Sequence, residues 1–189
     1  PALSKKQDAT PFDASADGML LAEAVGMVVL KRLSDAKKDQ DYIYAVIKGI
    51  GSSSDGKHKS IYSTRPEGQV RALLQAYKNA DVEPASVGLI EAHAPGTRVG
   101  DLAEVNALKA IFTKQDKHNK TKIAIGSVKS QIGHSKSAAG VASLIKAVLA
   151  LDQQILPATI KVKSLNPNID LEHTSLYVNT EVVPWVHTK

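Results

Sequence analysis

Apolar positions along this chain recur in two different periods, and the switches between them mark its elements. Gly26-Met-Val-Val-Leu-Lys-Arg-Leu33 and Tyr42-Ile-Tyr-Ala-Val-Ile-Lys-Gly49 are β-rich runs that predict two strands, joined by the polar segment Ser34–Asp41. Gly51-Ser-Ser-Ser-Asp-Gly56 reads as a loop. Thr64-Arg-Pro-Glu67 has the form of a capping box with an early proline, which predicts a helix start. Val70, Leu73, Leu74 and Tyr77 then form one apolar helical face. Val87-Gly-Leu-Ile-Glu-Ala92 is a short strand of buried type, ending at His93-Ala-Pro-Gly-Thr97. Asp101-Leu-Ala-Glu104 restarts a helix with Val105, Leu108 and Phe112 turned inward. A second strand, Lys122-Ile-Ala-Ile-Gly-Ser-Val128, precedes a long helix carrying Val141, Leu144, Ile145, Val148 and Leu149. Ile155-Leu-Pro-Ala-Thr-Ile160, the loop Asn166-Pro-Asn168 and the β-rich Leu176-Tyr-Val-Asn-Thr180 complete the pattern. Strands alternating with helices predict an α/β layered fold, and no internal repeat is visible.

Composition narrows the classes. The chain has 189 residues, 43% hydrophobic and 23% charged, as expected of a globular protein with a real core. No apolar run approaches the ~20 residues that span a bilayer, so a cytoplasmic location is the default expectation. The absence of cysteine removes disulfides, thiolate zinc sites and cysteine nucleophiles from these residues. Twenty-four basic against nineteen acidic residues leave a net charge of +5. Much of the lysine is dispersed or sits in Thr113–Lys122, which reads as a solvated loop, with docking of an acidic partner as the alternative. No basic stripe interleaved with aromatics appears, so no nucleic-acid partner is expected. The proline start and polar first ten residues read as a segment of a longer polypeptide.

His93 and His134 stand in matching contexts, each after a predicted strand and before a helix. In open α/β sheets, ligands bind outside the carboxyl ends of the strands. If the strands at 87–92 and 122–128 are parallel neighbours, both rings face one cleft. Gly96 and Gly133 would let backbone approach a substrate, while Ala138, Ala139 and Gly140 would let the next helix pack tightly. His58, His118, His173 and His187 have no such setting and read as structural or surface residues. Two histidines without a third ligand or a short ligand spacing do not make a metal site. Lys129 and Glu104 read either as a strand-end surface lysine and a helix-cap partner of Asp101, or as a buried lysine–carboxylate pair serving His134.

Three blocks carry a family resemblance: "PFDASADGMLLAEAVGMVVLKRLSDA", "IEAHAPGTRVGDLAE" and "GSVKSQIGHSKSAAGVASLIKAVLAL". In order and spacing, through "NPNID" to Pro184-Trp185, they resemble the β-ketoacyl synthases of fatty-acid and polyketide synthases. The block "KSIYSTRPEGQ" further resembles ketosynthases of polyunsaturated fatty-acid and heterocyst-glycolipid type. The resemblance implies a thiolase-like layered α/β fold, with residues 1–56 ending the N-terminal half and 57–189 forming most of the C-terminal half. It implies decarboxylative Claisen condensation of an acyl group with a malonyl-type extender. Acyl carrier protein would supply both thioesters on its phosphopantetheine arm, with no tightly bound cofactor and no metal. His93 and His134 fall at the two family histidines, Lys129 at its lysine and Glu104 at its buried glutamate. The lysine would set the histidine tautomer, and imidazole N–H donors would stabilise the enolate. The remainder of the ketosynthase domain and a second protomer are further implied partners.

Departures from the pattern matter too. The family reads His-Gly-Thr-Gly-Thr where this chain has His93-Ala-Pro-Gly-Thr97, so the first pantetheine-holding threonine is Pro95 while Thr97 remains. Gly-Glu-Gly-x-Gly becomes Ala22-Glu-Ala-Val-Gly26. A non-condensing relative, of chain-length-factor or decarboxylase-only type, is therefore an alternative, and a carrier-docking module without chemistry is another. The family's nucleophilic cysteine would lie outside these residues, leaving this segment inactive by itself.

Overall fold

The computed structural model describes residues 2–57, 64–113 and 122–186. His58, His118, His187 and most of the lysine-rich loop expected at 113–122 lie outside the described residues. The first regular element is α1 (Leu33–Lys38), followed by α2 (Pro66–Ala80), β1 (Leu89–Glu91) and α3 (Arg98–Phe112). Next come β2 (Ile123–Gly126), the one-turn α4 (Lys129–Ile132) and α5 (Ala139–Gln153). Three short strands finish the chain: β3 (Ile155–Leu156), β4 (Leu176–Val178) and β5 (Val183–Pro184).

A three-stranded sheet in the order β1-β2-β4 is parallel throughout. All four residues of β2 are buried, as its uninterrupted apolar sequence demands of a central parallel strand. β3 and β5 form a separate antiparallel pair. Val105, Leu108 and Phe112 of α3 pack onto Ile123 and Ile125 of β2 and Leu176 of β4, with Phe12 and Ile169 closing the cluster. The edge of the Tyr77 ring meets Phe112, joining α2 to this core.

Asp13 ties the start of the first block to the loop after β3. Its carboxylate accepts the amides of Ser15 at 2.8 Å, Lys163 at 2.7 Å and Ser164 at 3.0 Å. Burial works against the charge, but these hydrogen bonds outweigh it and bring the carboxyl to about 2.

Several expectations are corrected. The capping box at Thr64 is absent: Arg65 is the N-cap of α2 without a side-chain cap bond, and Pro66 opens the helix with its pre-set φ. Similarly, α3 is capped by Thr97, whose hydroxyl accepts the Gly100 amide at 3.2 Å, so Asp101 lies in the first turn without being the cap and Glu104 lies further in. The long helix begins at Ala139, and α4 with the 3-10 turn Lys136–Ala138 occupies the stretch before it.

The runs 26–33 and 42–49 carry no assigned strand, and among the described residues neither is hydrogen-bonded into a sheet. In the first run the two faces nevertheless differ. Val25, Met27 and Val29 are 93%, 88% and 97% exposed, while Gly26 on the other face sits against Val141 and Ile145 of α5. Val28 and Leu30, on the same face as Gly26, are 41% and 72% exposed, so apolar side chains point both ways, the composition of a strand covered on both faces, while even this face is only partly covered. Among the described residues no helix is long and apolar enough to cross a membrane.

Candidate active site

The parallel register of β1 on β2 pairs Glu91 with Gly126, so both strands end at the same edge. The loops that leave them therefore run side by side, and they bring His93 and His134 together. The ring centroids are 5.2 Å apart with planes at 80°, an edge-to-face pair. His173, by contrast, is exposed.

The His93 loop is held from below by two carboxylates one turn apart on α3. Glu104 accepts the amides of His93 at 2.8 Å and Ala94 at 2.7 Å. Asp101, which is 1% exposed, accepts the amides of Phe12 at 2.9 Å and Gly96 at 3.1 Å. Burial raises both carboxyls, Asp101 to about 6, against the pull of these amides. The i, i+3 spacing puts the pair on one helical face, which is the signal by which Asp101 could have been found beside Glu104.

The loop itself is constrained. Ala94 is fully buried at φ 25°, on the left-handed side that residues with a Cβ avoid, and Pro95 follows it into the interior. Gly96 takes φ 83°, and its carbonyl accepts the Gly18 amide at 3.0 Å. Here the glycine serves a close approach of two protein segments rather than of a substrate.

His134 is placed by a short bridge to the segment 20–22. Its amide donates to the Leu20 carbonyl at 2.7 Å, and its carbonyl accepts the Ala22 amide at 3.2 Å. Gly133 at φ 74° makes this possible, since a Cβ there would come within 3.0 Å of the Ala22 methyl. The methyl that departs from the family's Gly-Glu-Gly pattern thus lies against a residue with no side chain. Gly140, expected to permit tight helix packing, faces open space, while Ala139 is buried.

The His134 ring is 7% exposed, and its Nδ1 accepts the Lys136 amide at 3.1 Å. In a neutral imidazole the proton must then sit on Nε2, leaving an N–H donor. The tautomer is therefore fixed by a backbone amide, not by the lysine side chain expected to do it. Burial lowers His134, with the cations of Lys129 and Lys136 adding to the effect. His93 has one side open to solvent, yet surrounding protein removes enough water to bring it down to about 4, helped by Lys129 and His134. Both rings are consequently neutral at pH 7, and each can donate one N–H without carrying charge.

Lys129 opens α4 and is 2% exposed, which removes the surface-lysine reading. Burial lowers it, while Glu91, Glu104 and Asp101 pull it back up. It makes no contact pair with Glu104, because among the described residues no carboxylate lies within 4.0 Å of its ammonium. Glu91 escaped the sequence reading, although a charge in the apolar run Val87–Ala92 was its signal. Among the described residues there is no cluster of three His, Cys, Asp or Glu that could hold a metal ion.

Comparison with known proteins gives a consistent result. The family description "Beta-ketoacyl synthase, C-terminal domain" matches residues 44–163, and its N-terminal counterpart matches residues 1–36. The chain is 44% identical over 189 residues to a polyunsaturated fatty acid synthase from Thraustochytrium, covering 98% of this chain and 7% of that protein. It is 42% identical over 184 residues to a phenolphthiocerol/phthiocerol polyketide synthase from Mycobacterium tuberculosis, covering 97% of this chain and 10% of that protein. The chain thus spans a tenth or less of the length of these relatives.

Among solved structures, a ketosynthase from module 6 of the bacillaene synthase of Bacillus subtilis 168 superposes with a TM-score of 0.87 at 36% identity, over 99% of this chain and 34% of that one. An oxazolomycin ketosynthase domain from Streptomyces albus superposes with a TM-score of 0.92 at 36% identity, over 97% of this chain and 32% of that one. The expected thiolase-like layered fold is the fold of these domains. By sequence and by structure, the chain belongs to the β-ketoacyl synthase family.

Proposed function

We propose that this chain is the C-terminal portion of a condensing ketosynthase, an acyltransferase that joins an acyl group to a malonyl-type extender on acyl carrier protein. The observation that carries this reading is the edge-to-face pair of neutral histidines, 5.2 Å apart at the carboxyl edge of a parallel sheet. When the extender thioester decarboxylates, the bond to its carboxylate breaks, carbon dioxide leaves, and the electron pair moves into the thioester as an enolate. Negative charge collects on the thioester oxygen. His134 offers Nε2–H to that oxygen, and His93 supplies a second donor from the opposite loop. Aimed at charge that develops only in the transition state, such donors lower the barrier. The enolate carbon then attacks the carbonyl of an acyl thioester held on a cysteine, and the C–S bond breaks to release the thiolate.

That cysteine is absent from these 189 residues. The exposed apolar faces of the runs 26–33 and 42–49 fit cover by the rest of the domain. Carrier protein, bringing the phosphopantetheine arm, and a second protomer are the other proposed partners. The 189-residue chain, incubated with acyl- and malonyl-carrier protein, is expected to form no condensed product, whereas the intact synthase polypeptide forms it. Condensation catalysed by the short chain would refute the assignment.

A second reading, decarboxylation without condensation, draws on the Ala94-Pro95 departure at a buried, constrained loop. An intact polypeptide that releases carbon dioxide but never elongates would select it. The same loop yields a prediction about the arm. Thr97 and the residue at 95 are the proposed pantetheine contacts, and proline brings neither a hydroxyl nor an N–H. One net hydrogen bond contributes about 0.5–1.5 kcal/mol. Pro95→Thr in the intact polypeptide is therefore expected to lower KM for the malonyl-carrier substrate about two- to twelvefold with kcat little changed. An unaltered KM would remove position 95 from the arm's contacts.

A further inference from the structure

Behind the histidines lies a second charged group that the mechanism above does not use. Glu91, the last residue of β1, and Lys146, in the middle of α5, form an ion pair at 2.8 Å with side chains only 6% and 10% exposed. The carboxylate spans three elements. Its Oε1 accepts the Val128 amide at 2.6 Å and faces the Ser143 hydroxyl at 3.4 Å, while Oε2 meets the Lys146 ammonium. Among the described residues Oε2 and the ammonium have no hydrogen-bond partner, so there each meets the other through charge alone, off hydrogen-bond geometry. Gly126 leaves room for them: a Cβ there would stand 3.2 Å from the ammonium and 2.8 Å from the Thr159 hydroxyl oxygen.

Val128 directly precedes Lys129, so the amide that Glu91 holds sets where α4 starts. We propose that the Glu91–Lys146 pair is a positioning device for Lys129 and the His134 turn, holding the lysine in place and charged for the decarboxylation step. This inference rests on the functional reading above. Lys129 is faced by Glu91 from β1, Asp101 and Glu104 from α3 and Lys146 from α5, with His93, His134 and Lys136 on the adjoining loops. After the effect of burial, Glu91 is the strongest single influence on its protonation, and it acts to keep the ammonium charged; Lys146 acts the other way. The two partners thus hold the lysine between opposite pulls, and a buried pair broken on one side leaves an uncompensated charge.

The test measures decarboxylation of malonyl-carrier protein against pH in the intact synthase polypeptide. Glu91→Gln keeps an acceptor for the Val128 amide but removes the charge, so the alkaline limb of kcat is expected to move down by about 1 pH unit, with KM little changed. Lys146→Met removes a repelling cation and is expected to move the same limb up. The double variant, which leaves no orphan charge, returns the limb toward its original position and keeps the test open should a single variant fold poorly. Lys129→Met separates the role of the lysine from the role of the pair. If it leaves rate and limb unaltered, a charged Lys129 has no part in decarboxylation, and this inference falls while the histidine reading stands. If the limb responds to Lys129→Met but not to Glu91→Gln, Lys146→Met or the double variant, the positioning inference alone is overturned. A loss of rate that is uniform across pH in the Glu91 and Lys146 variants likewise overturns it, since it describes a merely structural pair.

Discussion

Replacing His93 or His134 with alanine in the intact synthase polypeptide is expected to slow malonyl-thioester decarboxylation by about 10²–10³-fold, the usual loss when one oxyanion donor is removed. KM should hold, because the donors act on charge that the bound substrate does not yet carry. The pH profile sharpens the expectation. A histidine held at about 4 stays neutral well below the ordinary 6.5, so activity attributable to His93 persists as pH falls and is lost only near 4. Burial is the leading cause of that depression and the Lys129 cation the second. Lys129→Met should therefore move the acid limb upward, part of the way toward 6.5. Full activity in His93→Ala or His134→Ala would end the catalytic reading of the pair. An acid limb that stays in place in Lys129→Met would show that the lysine's charge does not reach the rings.

Glu104→Ala should be nearly as damaging without touching substrate. The carboxylate accepts the amides of His93 and Ala94, and Ala94 is fully buried at a backbone angle that needs support. Leaving such a donor unpaired costs about 1–3 kcal/mol, equivalent to roughly 5- to 150-fold in the local opening equilibrium. Hydrogen exchange at the Ala94 amide should speed up by that factor. A loop displaced by about 1 Å can cost 10²-fold in rate, so turnover should drop on that order. Glu104→Gln keeps one acceptor oxygen and should recover part of both. Unchanged exchange in Glu104→Ala would mean that the loop is held by other contacts, with Asp101 as the remaining brace.

Much of this molecule was legible from its residues, and the reasons differ from element to element. The helices at 66–80, 98–112 and 139–153 follow apolar spacings that only a helix can bury on one side, and the all-apolar β2 could only be an interior strand. Helix starts were less legible. Proline at 66 and threonine at 97 open α2 and α3, where sequence favoured Thr64 and Asp101, because a cap is decided by which oxygen reaches the free amides.

The runs 26–33 and 42–49 have strand composition without a strand, since a ladder needs a partner that local sequence cannot provide. In the site, sequence context singled out His93 and His134 as residues of matched strand–loop–helix turns and offered Lys129 and Glu104 as a buried pair beside them, and motif likeness strengthened that choice. Their distances could not be read that way. The 5.2 Å between the rings exists because β1 and β2 pair in parallel, with Glu91 opposite Gly126, a register set by burial of the central strand β2. The tautomer of His134, the brace from Asp101 and the Glu91–Lys146 pair were likewise decided by tertiary structure, where buried charges and amides must find one another because little water reaches them.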